Sequence, residues 1–135
     1  MKYLLDTNIC IYLIKKKPAQ ILGKMMKMDI EDIGISTITL SELLYGIEKS
    51  RHPERNKMAL MEFLVPFAIL DFDQNAAKEY GRIRASLERK GKIIGSMDML
   101  IAAVARSHNL FLITNNVREF KRIEGLKIEN WIGGE

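Results

Sequence analysis

The segment KYLLDTNICIYLIK, residues 2–15, joins a short apolar run to an amphipathic one and places an acid at the junction. Its pattern predicts a buried strand from Lys2 to Leu5 and a helix from Thr7 to Lys15. An ionised carboxylate buried alone between them would cost several kcal/mol in desolvation. Asp6 therefore needs hydrogen bonds, a positive partner or a metal ion, and the rest of the chain has to supply it.

The same alternation of strand and helix patterns continues along the chain. Strands are predicted at residues 32–36, 68–72 and 110–114, and in LKIENW near the end. Helices are predicted from Pro18 to about Met28, after Ser36 or Thr37, from Pro53, from Asp73 to Gly91 with Ala77, Tyr80, Ile83 and Leu87 inside, and from a Ser96 cap. Such alternation predicts βαβ units, and hence an α/β domain with helices on both faces of a parallel sheet of four or five strands.

Length and composition fit one such domain spanning residues 1–135. The chain is 47% hydrophobic and 28% charged, as in ordinary globular proteins. Asp6 and Asn8 interrupt the first apolar run too early for a secretory signal, and no run approaches the ~20 residues of a membrane-spanning helix. The single cysteine, Cys10, fits a reducing compartment. We therefore expect a cytoplasmic protein.

Acidic residues follow the predicted strands at the edge where parallel sheets bind ligands. Asp6 directly follows the first strand, Glu42 lies on the helix after the second, Asp98 begins a very apolar helix, and Glu119 follows the fourth strand. No lysine or arginine lies within four residues of Glu42. A local salt bridge therefore does not explain Glu42.

Converging carboxylates repel one another and are stable as anions only with cations bound. Oxygen ligands without His or Cys suit Mg²⁺ or Mn²⁺, which activates water and neutralises leaving-group charge in phosphodiester cleavage. The chain has 21 basic and 17 acidic residues, a formal net charge of +4. Without the four acids of the proposed site, 13 acidic residues remain, so the rest of the protein is more positively charged than the whole chain. A nucleic-acid substrate fits this balance.

Each acid also has a structural interpretation. Asp6 could cap the first helix, and Asp98 could be a first-turn acid favoured by the helix dipole. Glu119 could pair with a surface base such as Lys15 or Arg122. An acid on the apolar face that carries Glu42 has no comparable structural role.

Basic runs are the candidate contacts to an RNA backbone, because phosphate contacts give affinity without sequence specificity. The alternative for each run is a solvated helix end. The candidates are Lys15, Lys16, Lys17, Arg82, Arg89 and Lys90. Few aromatic residues accompany them, so recognition is expected to depend on RNA shape.

Five segments in order, LLDTN, SELLYG, IGSMDMLIAAVA, LITNNVREF and GLKIENW, resemble the PIN-domain ribonucleases, and specifically the VapC toxins of bacterial toxin-antitoxin pairs. The resemblance implies a PIN-like fold and a catalytic, metal-binding set of Asp6, Glu42, Asp98 and a fourth acid, for which Glu119 is the candidate. Many relatives carry Asp where this chain has Asn116. Supporting roles are implied for Thr7, Asn8, Thr114 and Asn116.

The resemblance also implies what such a protein does. It implies a Mg²⁺- or Mn²⁺-dependent endoribonuclease that stops translation by cutting structured RNA, often a tRNA in its anticodon stem-loop, including that of an initiator tRNA. It further implies a homodimer and a small VapB-like antitoxin whose C-terminal segment covers the acidic groove. Whether one or two ions act, and which RNA is cut, the sequence leaves open.

Two alternatives belong to other classes of protein. A phosphotransfer enzyme with an aspartate nucleophile would also place Asp6 after the first strand, but such enzymes commonly need a second acid two positions later, where this chain has Asn8. A catalytically silent RNA- or protein-binding module would make the acids dispensable, which the buried setting predicted for Glu42 opposes.

Overall fold

Five parallel strands form one sheet in the computed structural model, which describes residues 1–132. They are β1 (Tyr3–Leu5), β2 (Ile33–Ser36), β3 (Ala68–Leu70), β4 (Phe111–Ile113) and β5 (Lys127–Glu129). Their order in the sheet is β3-β2-β1-β4-β5, with every neighbouring pair parallel. The predicted α/β class and parallel sheet are confirmed, with five strands, although each strand is shorter than predicted.

The register of the central strands puts their ends level. Leu5 of β1 lies opposite Ile35 of β2 and Ile113 of β4. The residues that follow these positions are Asp6, Ser36 and Thr114, so all three lie at the carboxyl edge of the sheet. Each of the three is almost completely buried.

Helices connect the strands and cover both faces of the sheet. They are α1 (Thr7–Lys15), α2 (Ala19–Met26), α3 (Thr37–Glu48), α4 (Pro53–Leu64), α5 (Gln74–Lys90), α6 (Ser96–Ser107) and the single turn α7 (Val117–Phe120), with a 3-10 turn at Ile30–Asp32. The predicted caps at Ser36 and Asp73 are confirmed, since each side chain accepts a backbone N–H three residues ahead. Gly91 ends α5 with φ +66°.

Two predicted details are wrong. Ala77 is exposed and Ala76 takes the inner position on α5, while the rest of the predicted inner face, Tyr80, Ile83 and Leu87, packs inward as expected. Ser96 is the first residue of α6 rather than its cap, and Gly95 occupies the cap position without a side-chain hydrogen bond.

Alternation along β1 divides the core into two layers. Leu4 packs with α5 and α6 on one face, in a cluster that includes Ile83, Leu87 and Ile101. Leu5 faces the opposite layer with residues of α1, α3 and α4. Burial on both faces is what a parallel sheet with helices on each side requires.

None of the helices within residues 1–132 is long and apolar enough to cross a membrane.

Candidate active site at the carboxyl edge of the sheet

Asp6 is fixed at the turn from β1 into α1 by several hydrogen bonds. Its Oδ1 accepts the Ile9 N–H at 2.9 Å, which makes it the N-cap of α1. The Thr114 side chain, at the end of the neighbouring β4, is near enough to lower the pKa of this carboxyl. Burial raises the pKa of the Asp6 carboxyl, Thr114 and the Ile9 N–H oppose that rise, and the charge of Glu42 adds to it. The capping interpretation of Asp6 is therefore confirmed, and it places the carboxyl at the ligand edge.

Glu42 is oriented by a pair of threonines rather than by a base. The Thr7 hydroxyl lies 2.5 Å from Glu42 Oε1 and 3.2 Å from the Thr39 hydroxyl. One hydroxyl carries one proton, so the shorter contact to the carboxylate takes it and Thr7 accepts from Thr39. The first turn of α1 thereby holds an acid on α3, which the resemblance assigned to the site.

Asp98 lies in the first turn of α6 and is partly buried. Its pKa is raised from 3.8 to about 6, first by desolvation and then by the charges of Asp6, Glu119 and Glu42, in that order. Three carboxylates from three other segments therefore act on Asp98 through space. The acids that the sequence singled out share one electrostatic field at the edge of the sheet.

The segment after β4 contributes Thr114, Asn116 and Glu119. The backbone N–H of Asn116 donates to Thr114 Oγ1 at 2.9 Å, which closes the turn that follows β4. Asn116 occupies the N-cap position of α7, but its side chain makes no capping bond. Glu119 forms no salt bridge within the described part of the chain and is half-buried. The alternative interpretation of Glu119, a surface pair with a base such as Lys15 or Arg122, is not found there. Asn8, the remaining supporting candidate, is exposed.

The chemistry of this donor set fits a hard divalent cation. The four side chains are carboxylates, the Thr7 hydroxyl and the Ile9 N–H donate to two of them, and Cys10 is completely buried. The mutual repulsion that raises the Asp98 pKa is the interaction that a bound cation would reverse. Within residues 1–132, as they are placed, no three His, Cys, Asp or Glu side chains converge closely enough to hold one ion together. The assignment of these acids as metal ligands is therefore a proposal.

The six basic residues predicted to contact RNA differ in whether a carboxylate pairs with them. Lys15, Lys16, Lys17 and Arg89 are exposed. Arg82 Nη1 lies 2.7 Å from Glu79 Oε2, and Lys90 Nζ lies 2.5 Å from Glu124 Oε1. These last two bases thus have carboxylate partners, which lowers the charge available to a phosphate.

The structure combines a five-stranded parallel sheet with acids at its carboxyl edge. The class of protein is a PIN domain, since the PIN-domain family model matches residues 3–126. The Ribonuclease VapC2 of Haemophilus influenzae is 46% identical over 98% of this chain and 99% of its own length. The tRNA(fMet)-specific endonuclease VapC of Shigella flexneri is also 46% identical, over 97% of this chain and 98% of its own. The chain belongs to the VapC ribonucleases of the PIN-domain family, as the sequence motifs predicted.

Solved structures agree with this assignment. A chain of DNA-bound VapBC from Salmonella typhimurium superposes with a TM-score of 0.92 at 46% identity, covering 97% of this chain and 98% of that one. A chain of VapBC2 from Rickettsia felis, bound to a DNA fragment from its promoter, gives a TM-score of 0.91 at 44% identity, covering 97% and 99%. PIN-domain ribonucleases generally depend on a divalent metal.

Thr39 is a site residue that the sequence reasoning missed. It is completely buried and completes the hydroxyl pair that orients Glu42. Its signal in the sequence is the spacing, since Thr39 and Glu42 are three residues apart and share a face of α3.

Proposed function

We propose that this chain is the toxin of a toxin-antitoxin pair, an endoribonuclease that uses Mg²⁺ or Mn²⁺ to cut structured RNA, with a tRNA as its substrate. The observation that carries the proposal is the shared field of Asp6, Glu42, Asp98 and Glu119 at the carboxyl edge of a PIN-domain sheet. The tRNA(fMet)-specific relatives, which match nearly the full chain, support a tRNA, and in particular an initiator tRNA. The anticodon stem-loop is the cut site that we propose.

The proposed ligands of the ion are Asp6, Glu42, Asp98 and Glu119. When bound, a divalent cation activates a water molecule and neutralises charge on the leaving oxygen of a phosphodiester. The protein's contribution is to hold its carboxylates in place. Asp6 is held by the Ile9 N–H and Glu42 by the Thr7 hydroxyl, so these two groups need little reorganisation.

Asp98 sets the pH range of the proposed site. With a pKa of about 6, part of its population carries a proton in mildly acidic solution. A protonated carboxyl is a poor metal ligand, and metal binding therefore displaces that proton. We expect metal affinity and cleavage to rise between about pH 5 and pH 7.

A groove beside Glu42 supports the antitoxin assignment. It has a volume of about 480 Å³ between α1, α3 and α4, and its apolar walls include Ile11, Ile14, Leu43 and Leu60. Glu42 also lines this groove. An antitoxin's C-terminal segment with an apolar face could therefore fill the groove and cover the carboxylates at once.

The proposed homodimer has a candidate surface on α4 and the residue that follows it. Met58, Met61 and Val65 are 70%, 54% and 82% exposed and follow one another at helical spacing. Lys57 and Glu62 flank this apolar strip, so a twofold axis could place opposite charges across the interface. Light scattering of the wild type and of Met61→Glu tests this, with a monomer expected only for the variant. A monomeric wild type would contradict the homodimer.

The localisation proposed is the cytoplasm, where the tRNA substrate is found.

The function is tested by expressing the protein briefly without antitoxin and sequencing the 5′ ends of RNA that accumulate. We expect new ends at one position in a tRNA and arrested growth, with neither in cells that express Asp98→Asn. New ends that are equally abundant with Asp98→Asn would contradict the proposal.

A further inference from the structure

A second cavity lies beside the carboxylate edge and has the opposite charge. Its volume is about 330 Å³. The loop between α5 and α6 forms one wall and α7 with the residues after it forms the other. The lining residues are Gly91, Lys92, Ile93, Arg118, Lys121 and Arg122.

The cavity concentrates positive charge that no carboxylate neutralises. Four of its six lining residues are basic and none is acidic. In the described part of the chain none of these four forms a salt bridge, whereas nearby Lys90 and Arg106 pair with Glu124 and Glu79. Several like charges around one concave surface attract an anionic ligand.

The two walls are joined by a specific contact. The Arg122 Nη1 donates to the Ile93 carbonyl oxygen at 3.1 Å. Arg122 therefore helps to hold the cavity's shape. Lys92, Arg118 and Lys121 are exposed and can turn their charged groups to a ligand.

Both walls continue directly into the candidate active site. On one side Arg118 precedes Glu119, whose charge acts on Asp98. On the other side Ile93 lies two residues before Gly95, and a Cβ at Gly95 would stand 3.5 Å from Asp98 Oδ2. Two residues span at most about 7 Å. The basic cavity thus begins within about 11 Å of the Asp98 carboxylate, a distance that one or two nucleotides span.

We propose that this cavity binds phosphate groups of the RNA strand that flank the bond being cut. The inference rests on the proposed ribonuclease function, because the neighbouring phosphates reach the cavity only when the phosphate being cut lies at the carboxylates. An RNA strand carries one phosphate per nucleotide, so a strand engaged at the carboxylates extends its next phosphates over Arg118, Lys121 and Lys92. The arginine fork and the two ammonium groups are the donors that phosphate oxygens accept. These residues position the substrate, and the carboxylates carry the chemistry.

The test compares two matched double variants of the full chain. Lys92→Gln with Lys121→Gln removes two charges from the cavity but keeps the Arg122 contact. Lys24→Gln with Lys27→Gln removes two exposed charges at the end of α2, away from the cavity. Binding of bulk tRNA is measured in EDTA over a series of salt concentrations, so that no cleavage occurs. Melting temperatures verify that both variants are folded.

The expected result is a loss of about 1.4 to 1.8 from the slope of log K against log salt in the cavity variant, with no change in the control pair. A slope equal to the wild type's, or an equal loss in both variants, would overturn the proposal. Unchanged tRNA binding with weakened binding of a poly-glutamate peptide would assign the cavity to an acidic protein segment instead. If the cavity variant loses slope but the wild type cleaves no RNA, the proposed function fails and the cavity is only an RNA-binding surface. If the wild type cleaves RNA but the cavity variant keeps its slope, the cavity proposal fails and the proposed function stands.

Discussion

The Thr7 hydroxyl lies 2.5 Å from Glu42 Oε1, a contact that joins the first turn of α1 to the middle of α3 across 35 residues of sequence. Thr7 directly follows Asp6, whose own carboxyl caps the same helix. One helix N-terminus therefore fixes two of the acids proposed to bind metal. A shift of α1 would therefore displace both Asp6 and Glu42.

Thr7→Val keeps the shape of the side chain and removes the hydroxyl. We expect cleavage to fall about 10- to 100-fold, because Glu42 loses the donor that orients it, with little change in the melting temperature. Ser41→Ala is the matched control, since its hydroxyl lies next to Glu42 in sequence but donates to the Thr37 carbonyl and is exposed. Initial cleavage rates of both variants decide this. Equal rates would mean that the hydroxyl of Thr7 is dispensable.

Asp98→Asn should change how stability depends on pH. The folded-state pKa of about 6 exceeds the ordinary 3.8, so in EDTA the wild-type folded state loses stability as pH rises through that window. Asn cannot ionise, and we expect it to be more stable than the wild type at pH 8 by about 1 kcal/mol, a figure discounted for solvent screening. The two should converge near pH 4.

Urea unfolding at pH 4 and pH 8 measures this difference. Asp71→Asn, at an exposed acid after β3, is the control and should show no comparable pH dependence. An Asp98→Asn difference that is the same at both pH values would contradict a raised pKa of Asp98 as its cause.

Glu119→Gln tests the fourth acid. We expect a partial loss of cleavage, smaller than that of Asp6→Asn or Asp98→Asn, and a higher Mg²⁺ concentration for half-maximal rate. Asn116→Asp should bind Mg²⁺ as tightly as the wild type or more tightly, since it adds a carboxylate to the same turn. Titration of cleavage with Mg²⁺ compares all four variants. A Glu119→Gln curve that overlies the wild type's would leave three acids in the site.

Ala59→Arg tests the apolar groove as the antitoxin's binding site. Ala59 lines that groove and is exposed, so a long side chain there fits the fold but occupies the space. We expect this variant to arrest growth even when the antitoxin is co-expressed. Ala77→Arg on the exposed side of α5 is the control and should be neutralised like the wild type. Full neutralisation of Ala59→Arg would place the antitoxin elsewhere.

Local signals explain what the sequence predicted well. The helix Thr7–Lys15 and its junction with β1 were predicted to the residue, because an apolar strand, a capping acid and a new period occur in succession there. Asp73 and Gly91 likewise bounded α5 correctly. Periodicity alone did not separate Ala76 from Ala77, because they precede Tyr80 by four and three residues and both spacings fit the same face of a helix.

The features that were missed depend on tertiary packing. The contact of Thr39 with Thr7 crosses from one helix to another, and the basic cavity joins a loop at Lys92 to residues near Lys121. No pattern within a single segment brings such residues together. The pairing of Arg82 with Glu79 is different, because the two residues are three apart on α5 and their spacing alone indicates it.

The central claim is that the carboxylates at the edge of the sheet cleave RNA with the help of a divalent ion. It is tested by incubating the purified wild type with tRNA in Mg²⁺, in Mn²⁺ and in EDTA, with Asp98→Asn alongside. We predict discrete cleavage by the wild type with either metal, none in EDTA, recovery when metal is added back, and a loss of at least about 100-fold in the variant. Cleavage that persists in EDTA, or that Asp98→Asn performs at the wild-type rate, would contradict it.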